Sequence, residues 1–134
     1  DFPARLAPYG APAGRPDLIF AGQLTGVEGY MESGASGILA GINLDRVLRG
    51  EPPITPPATT MLGGLYRYLR EATPGAFQPM NSNFGLLAPL PERIRDRRAR
   101  RTREVERARA DFAGWMARHG IRPVPVHAPE VGVA

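Results

Sequence analysis

The stretch that most constrains this chain is Phe20-Ala-Gly-Gln-Leu-Thr-Gly-Val-Glu-Gly-Tyr30, which runs straight into Met31-Glu-Ser-Gly-Ala-Ser-Gly-Ile-Leu-Ala-Gly41. Residues 18–21 (Leu-Ile-Phe-Ala) are apolar, stand between Asp17 and Gly22, and read as a buried strand. Gly22 to Gly29 reads as a turn, and a helix is expected from about Glu28 to Leu48. Met31, Ala35, Ile38 and Ile42 recur at i, i+4, i+7 and i+11, which predicts that they form the inner face of that helix. Gly34, Gly37 and Gly41 lie among them. Each glycine costs about 1 kcal/mol relative to alanine in a helix interior, so close approach to another backbone or to a ligand is the expected compensation. Backbone of this kind suits a flat or anionic ligand. Helix N-terminal amides and the positive end of the dipole would face it, and Gly22, Gly26 and Gly29 would let the main chain come near. The spacing is not that of a G-x-G-x-x-G fingerprint, and Glu28 would compete with an anion. A βα turn whose glycines serve only packing remains open as the alternative.

A lone strand leaves its backbone donors and acceptors unpaired and must join a sheet supplied from elsewhere. Residues 1–17 hold Pro3, Pro8, Pro12 and Pro16 with Gly10 and Gly14 between them, and read as an extended loop or linker. The 134 residues are therefore expected to be the C-terminal portion of a larger protein. There is no cysteine, which excludes a disulfide scaffold, a thiolate metal site and a cysteine nucleophile within these residues and fits a cytoplasmic protein. No apolar run approaches the roughly 18 residues of a membrane helix, no signal peptide is visible, and no carboxylate–histidine cluster has metal spacing.

A proline-rich connector, 51–57, leads to a second expected helix over about 60–72, capped by Thr59 or Thr60 and stopped at Thr73-Pro74-Gly75. Residues 76–91 show no clean period and read as an ordered, packed loop. A third helix is expected from about Glu92 to His119, closed by Gly120 and Pro123. Its second half carries an apolar stripe: Val105, Ala108, Phe112, Trp115/Met116 and His119. Its first half is polar all round. Residues 93–109 contain nine arginines against Asp96, Glu104 and Glu106, a local net of +6 in a chain of net +4. All seventeen basic residues are arginine. Arg93, Arg95, Arg97, Arg98, Arg100, Arg101 and Arg103 are candidate contacts to nucleic-acid phosphates, with a solvated face as the alternative. No aromatic is interleaved in the run, which favours phosphate contact over base stacking. His119 reads as a partner for the helix C-terminal dipole. The tail, 121–134, is expected to be extended or frayed, leaving His127 too mobile to hold a ligand.

The block from Phe20 to Ser33, with Gly37-Ile-Leu-Ala-Gly-Ile-Asn43 after it, resembles the C-terminal flavin segment of the TrmFO family. These are folate- and FAD-dependent tRNA (uracil-5-)-methyltransferases related to GidA/MnmG. Phe77-Gln-Pro-Met-Asn-Ser-Asn-Phe-Gly-Leu86 resembles a second stretch of the same family, and the similarity spans roughly residues 18–115. GidA more typically has Gly-Thr-Thr-Gly-Tyr where this chain has Gly26-Val-Glu-Gly-Tyr30, so Val27-Glu28 and the 77–86 block favour TrmFO.

The resemblance implies an α/β fragment: one sheet strand followed by three helices and ordered loops, completing a Rossmann-like FAD-binding domain supplied mainly by an absent N-terminal part. Residues 18–50 would be the strand–turn–helix of that domain, 51–91 a helix plus packed loop, and 92–120 an arginine-rich helix. Gly22, Gln23, Gly26, Val27, Glu28, Gly29 and Tyr30 would line the isoalloxazine. Asn81 and Asn83 would either bind a ligand or satisfy the backbone of their loop. The implied cofactors are FAD, methylenetetrahydrofolate and NADPH or NADH as reductant, and the implied partner is tRNA. The implied product is 5-methyluridine in the tRNA T loop. The family's catalytic cysteines would lie upstream, with no catalytic residue in this segment. A GidA/MnmG-like tRNA-uridine-modifying flavoprotein and a non-enzymatic arginine-rich RNA-binding module are the alternatives.

Overall fold

The glycine turn, the capping threonine and the capping aspartate each set a helix boundary. The computed structural model describes residues 5–73 and 75–123; His127, Pro74 and most of the expected tail lie outside them. Three α-helices are found among the described residues: α1 (Tyr30–Leu48), α2 (Met61–Glu71) and α3 (Arg97–Arg118). Short 3-10 turns occupy Gly22–Thr25 and Phe84–Leu86. Gly29 precedes α1 at φ 89° and ψ 144°, a conformation open mainly to glycine. Thr60 caps α2, its Oγ1 accepting from Gly63 N–H at 3.1 Å. At α3 the Asp96 carboxylate accepts from Ala99 N–H at 2.7 Å.

The third helix therefore starts at Arg97 and not at Glu92. Asp96 is the first residue whose side chain can satisfy the orphan amides, and its charge offsets the arginines crowding that end. Arg93 and Arg95 consequently lie in the loop before α3. The expected strand 18–21 does not form: these residues carry no strand pairing, and their backbone bonds to the rest are Leu18 N–H donating to Arg15 C=O at 3.2 Å and Phe20 N–H donating to Gly10 C=O at 3.0 Å. A ladder needs a neighbouring strand, and among the described residues none is offered. The described part of the proline-rich stretch is hooked back on itself, with Ala7 N–H donating to Ala11 C=O at 2.8 Å.

The axis of the fold is α2. One face places Leu65 and Leu69 against Val27, with Leu6, Tyr68, Phe77, Met80 and Leu86 around them. The other places Tyr66 with Leu39, Ile54 and Trp115. The close glycine contacts expected of α1 occur here instead. A Cβ on Gly63 would strike the Pro57 carbonyl, and one on Gly64 would lie 2.6 Å from Leu86 O.

The inner face of α1 also differs from expectation. Ser36, Leu39 and Asn43 are buried, whereas Met31 is 84% and Ile38 69% exposed. Two polar residues occupy the inner face because the side chain of each both donates and accepts a hydrogen bond there. Ser36 Oγ accepts from Gly22 N–H and donates to Ser33 C=O, both at 2.8 Å. Asn43 pairs with both main-chain groups of Ile54: its Nδ2 donates to Ile54 O at 2.9 Å and its Oδ1 accepts from Ile54 N at 2.7 Å. That pair fastens the connector 51–57 to α1. Replacing Asn43 by alanine strands two buried backbone groups at roughly 1–3 kcal/mol each. Asn43→Ala should therefore lower the unfolding free energy of the intact protein by at least about 2 kcal/mol, measured by urea denaturation.

Candidate functional site

The two glycine- and asparagine-rich blocks, far apart in sequence, meet in one place. Val27 and Met80 form a parallel bridge. Glu28 N–H donates to Met80 C=O and Met80 N–H donates to Gly26 C=O, each at 3.0 Å. Val27 is fully buried beneath this bridge, in contact with Leu65 and Leu69. Its own N–H and C=O make no backbone hydrogen bond among the described residues.

Gly26 sits at φ 86° directly over Phe77, whose ring a Cβ there would strike. Phe77 in turn stacks on Tyr68 at 6.1 Å, and Tyr68 OH donates to Gln78 C=O at 3.0 Å. The turn is thus seated on an aromatic floor. Gly22 begins the 3-10 turn, where Thr25 Oγ1 donates to Gly22 C=O at 2.8 Å.

A second tie joins the same blocks. Glu32, in the first turn of α1, accepts on Oε1 from Ser82 Oγ at 2.7 Å and from Ser82 N at 3.2 Å. These bonds, the Ser82 hydroxyl first and then the residue's own backbone, hold the Glu32 carboxyl below its ordinary value of 4.5. A Cβ on Gly29 would run into this carboxylate. Neither Glu32 nor Ser82 carries a local sequence signal for this role, because the pair closes over fifty residues.

The residues singled out from sequence separate into three groups. Gly22, Gly26 and Gly29 shape the main chain, all at positive φ. Val27 is turned into the core. Gln23, Glu28 and Tyr30 project outward, Tyr30 being 97% exposed at the start of α1. The Tyr30 and Met31 amides make no backbone hydrogen bond among the described residues, as the first amides of a helix do when no cap reaches them. Asn83 is the cap of the Phe84–Leu86 turn, accepting from Gly85 N–H at 2.9 Å and donating to Asn81 C=O at 3.2 Å. Those asparagine groups are used by their own loop.

The arginine face is a separate surface. Arg93, Arg95, Arg97, Arg98, Arg100, Arg101 and Arg103 are all exposed. Arg103 pairs with Glu106 at 3.0 Å and Glu92 at 3.8 Å, and Arg100 with Glu104 at 3.9 Å. Arg93, Arg95, Arg97, Arg98 and Arg101 have no carboxylate partner among the described residues. Arg107, by contrast, is structural and donates to the carbonyls of Ala88 and Pro89.

Residues 11–52 match the family model described as Glucose inhibited division protein A. The chain is 50% identical over 110 residues to a methylenetetrahydrofolate–tRNA-(uracil-5-)-methyltransferase TrmFO of Lactiplantibacillus plantarum, covering 82% of this chain and 25% of that protein. It is 56% identical over 103 residues to the TrmFO of a Synechococcus species, covering 77% and 23%. It is 48% identical over 115 residues to that of Geobacter sulfurreducens, covering 86% and 26%. Over most of its length the chain is thus similar to proteins of the TrmFO family. It spans about a quarter of the length of the curated TrmFO proteins it matches. The Glucose inhibited division protein A match takes in the glycine turn and all of α1, and stops short of the block at 77–86.

The Glu32 tie sets a pH dependence. Its carboxyl is depressed in the fold, so its contribution is present above the unfolded value of 4.5 and is lost as pH falls through the lower folded value. Wild type should melt above Glu32→Gln at pH 7, and the gap should close as pH falls below 4.5. Parallel melting curves across that range would show that the tie does not contribute.

Proposed function

We propose that this chain is the C-terminal part of a methylenetetrahydrofolate- and FAD-dependent tRNA (uracil-5-)-methyltransferase that makes 5-methyluridine in the tRNA T loop. The observation that carries this reading is the Val27–Met80 bridge, which makes one unit of the two blocks that resemble the family. Identity near 50% to proteins bearing the TrmFO name supports it. On this reading the work is cytoplasmic, where the tRNA is. No helix among the described residues is long and apolar enough to cross a membrane.

The flavin fits the chemistry on offer. Gly22, Gly26 and Gly29 keep side chains away from the turn, and the Tyr30 and Met31 amides at the positive end of α1 suit an anionic ring edge. Gln23, Glu28 and Tyr30 would line its rim, with Val27 contributing main chain only. Glu28, exposed and at the same end, opposes an anion, and Glu32 is held aside by Ser82. When bound, FAD reduced by NADPH or NADH supplies the electrons that turn the one-carbon unit of methylenetetrahydrofolate into a methyl group. The cysteines of the reaction belong to the rest of the protein, because this chain has none. That remainder, with the dinucleotide-binding glycines, is the obligate partner.

The exposed arginines would bind tRNA phosphates. The GidA/MnmG-like alternative shares the first block, and the 77–86 block favours the methyltransferase. A purely RNA-binding module leaves the glycine turn only its packing on Phe77 and gives the open amides at the start of α1 no ligand.

Valine at Gly29 cannot adopt φ 89° without strain and would meet Glu32. Full-length protein carrying Gly29→Val should therefore purify without the yellow flavin absorbance of wild type. Normal absorbance in that variant would count against a flavin at this turn.

A further inference from the structure

The arginine run has no aromatic within it, yet the fold supplies one. Phe84 comes from the second block, at the head of the 3-10 turn, and Arg101 lies over its ring with Cζ 5.0 Å from the centroid. The loop that carries Phe84 is held from several sides. Asn83 caps the turn, Arg67 donates to Leu86 C=O at 3.0 Å, Ala88 N–H donates to Ala58 C=O at 3.0 Å, and Arg107 grips the Ala88 and Pro89 carbonyls. Phe84 is half-buried, and Met61, Leu87, Val105 and Ala108 line an apolar cavity with it. Its ring thus borders apolar side chains on one side and is covered by a guanidinium on the other.

Arg101 is exposed and has no carboxylate partner among the described residues, unlike its neighbours Arg100 and Arg103. A guanidinium laid on an aromatic face keeps its second face open to another π system. The pair opens into a groove of about 1040 Å³ whose walls include Leu90, Arg93, Arg97 and Arg100. Arg97 and Arg98 stand four and three residues before Arg101 on the same helical surface.

We propose that Arg101 on Phe84 is a stacking platform for one unpaired base of an RNA loop, with Arg97 and Arg98 holding the flanking phosphates. Bases in a duplex have both faces covered and cannot use such a platform, whereas unstacked bases of loops and single strands can. The site thus gives the arginine face a preference that charge alone does not provide. It rests on the reading that this face binds RNA.

The test uses the full-length protein with an unmodified tRNA transcript, a short single-stranded RNA and a blunt RNA duplex of the same length. Affinity is measured across a salt series. Arg101→Lys keeps the charge and removes the plane; Phe84→Leu keeps an apolar anchor and removes the ring. Both should weaken tRNA and single-strand binding about tenfold with the salt slope unchanged, and abolish the preference for single strand over duplex. The double change Arg97→Ala/Arg98→Ala should instead flatten the salt slope. Arg101→Lys binding all three RNAs as wild type does, while the double change flattens the slope, overturns the platform and leaves the RNA-binding face standing. An unchanged slope in the double variant overturns the RNA-binding reading itself.

Discussion

Two main-chain hydrogen bonds, flanking Val27 and both made to Met80, tie the glycine turn to a loop some fifty residues further on. With them in place, Val27 drops into contact with Leu65 and Leu69, Gly26 rests on Phe77, and Glu32 comes within reach of Ser82. The direction in which α1 leaves the turn is set there, and so is what its N-terminal amides face. The inner side of α1 is held by Ser36 at the turn and by Asn43 at the connector. Polar bonds of fixed geometry, together with Leu39 in the core, set the rotation of this helix about its axis.

That rotation has a consequence for the rest of the protein. Met31 and Ile38 face outward, and a Cβ added at Gly34, Gly37 or Gly41 would meet nothing within 4 Å among the described residues. Three helical glycines with no neighbour among the described residues forfeit about 3 kcal/mol relative to alanine. A surface of this kind is suited to a backbone or ring lying flat along it. On the functional reading proposed above, the face of α1 is where the two parts of a flavin domain meet.

Local chemistry made the helices legible in the sequence. Gly29 and Gly50 bracket α1, Thr60 caps α2, and Gly120 closes α3 at φ 65°. Features that depend on distant partners were not legible. Residues 18–21 have strand composition and no strand beside them, so their apolar character does not become a ladder. The apolar spacing of Met31, Ala35, Ile38 and Ile42 placed only part of the inner face: Ile42 packs on the core and Ala35 is half-buried, but Met31 and Ile38 are exposed, because periodicity is blind to buried Ser36 and Asn43 satisfied by remote backbone. Asp96 moved the start of α3 past Arg93 and Arg95 for a reason visible in the sequence, a capping residue placed after the first arginines. Glu32–Ser82 and Arg101–Phe84 are pairings between segments, and no window of local sequence contains them.

On the reading proposed above, the turn with its aromatic floor and the arginine face would be the flavin and RNA sides of one enzyme. The most direct measurement supplies the full-length protein with methylenetetrahydrofolate labelled in its one-carbon unit, a nicotinamide reductant and unmodified tRNA, followed by nucleoside analysis of the product. The account predicts label in 5-methyluridine of the T loop. Label in a different modified uridine, or none in the tRNA of a flavin-replete preparation, would contradict it.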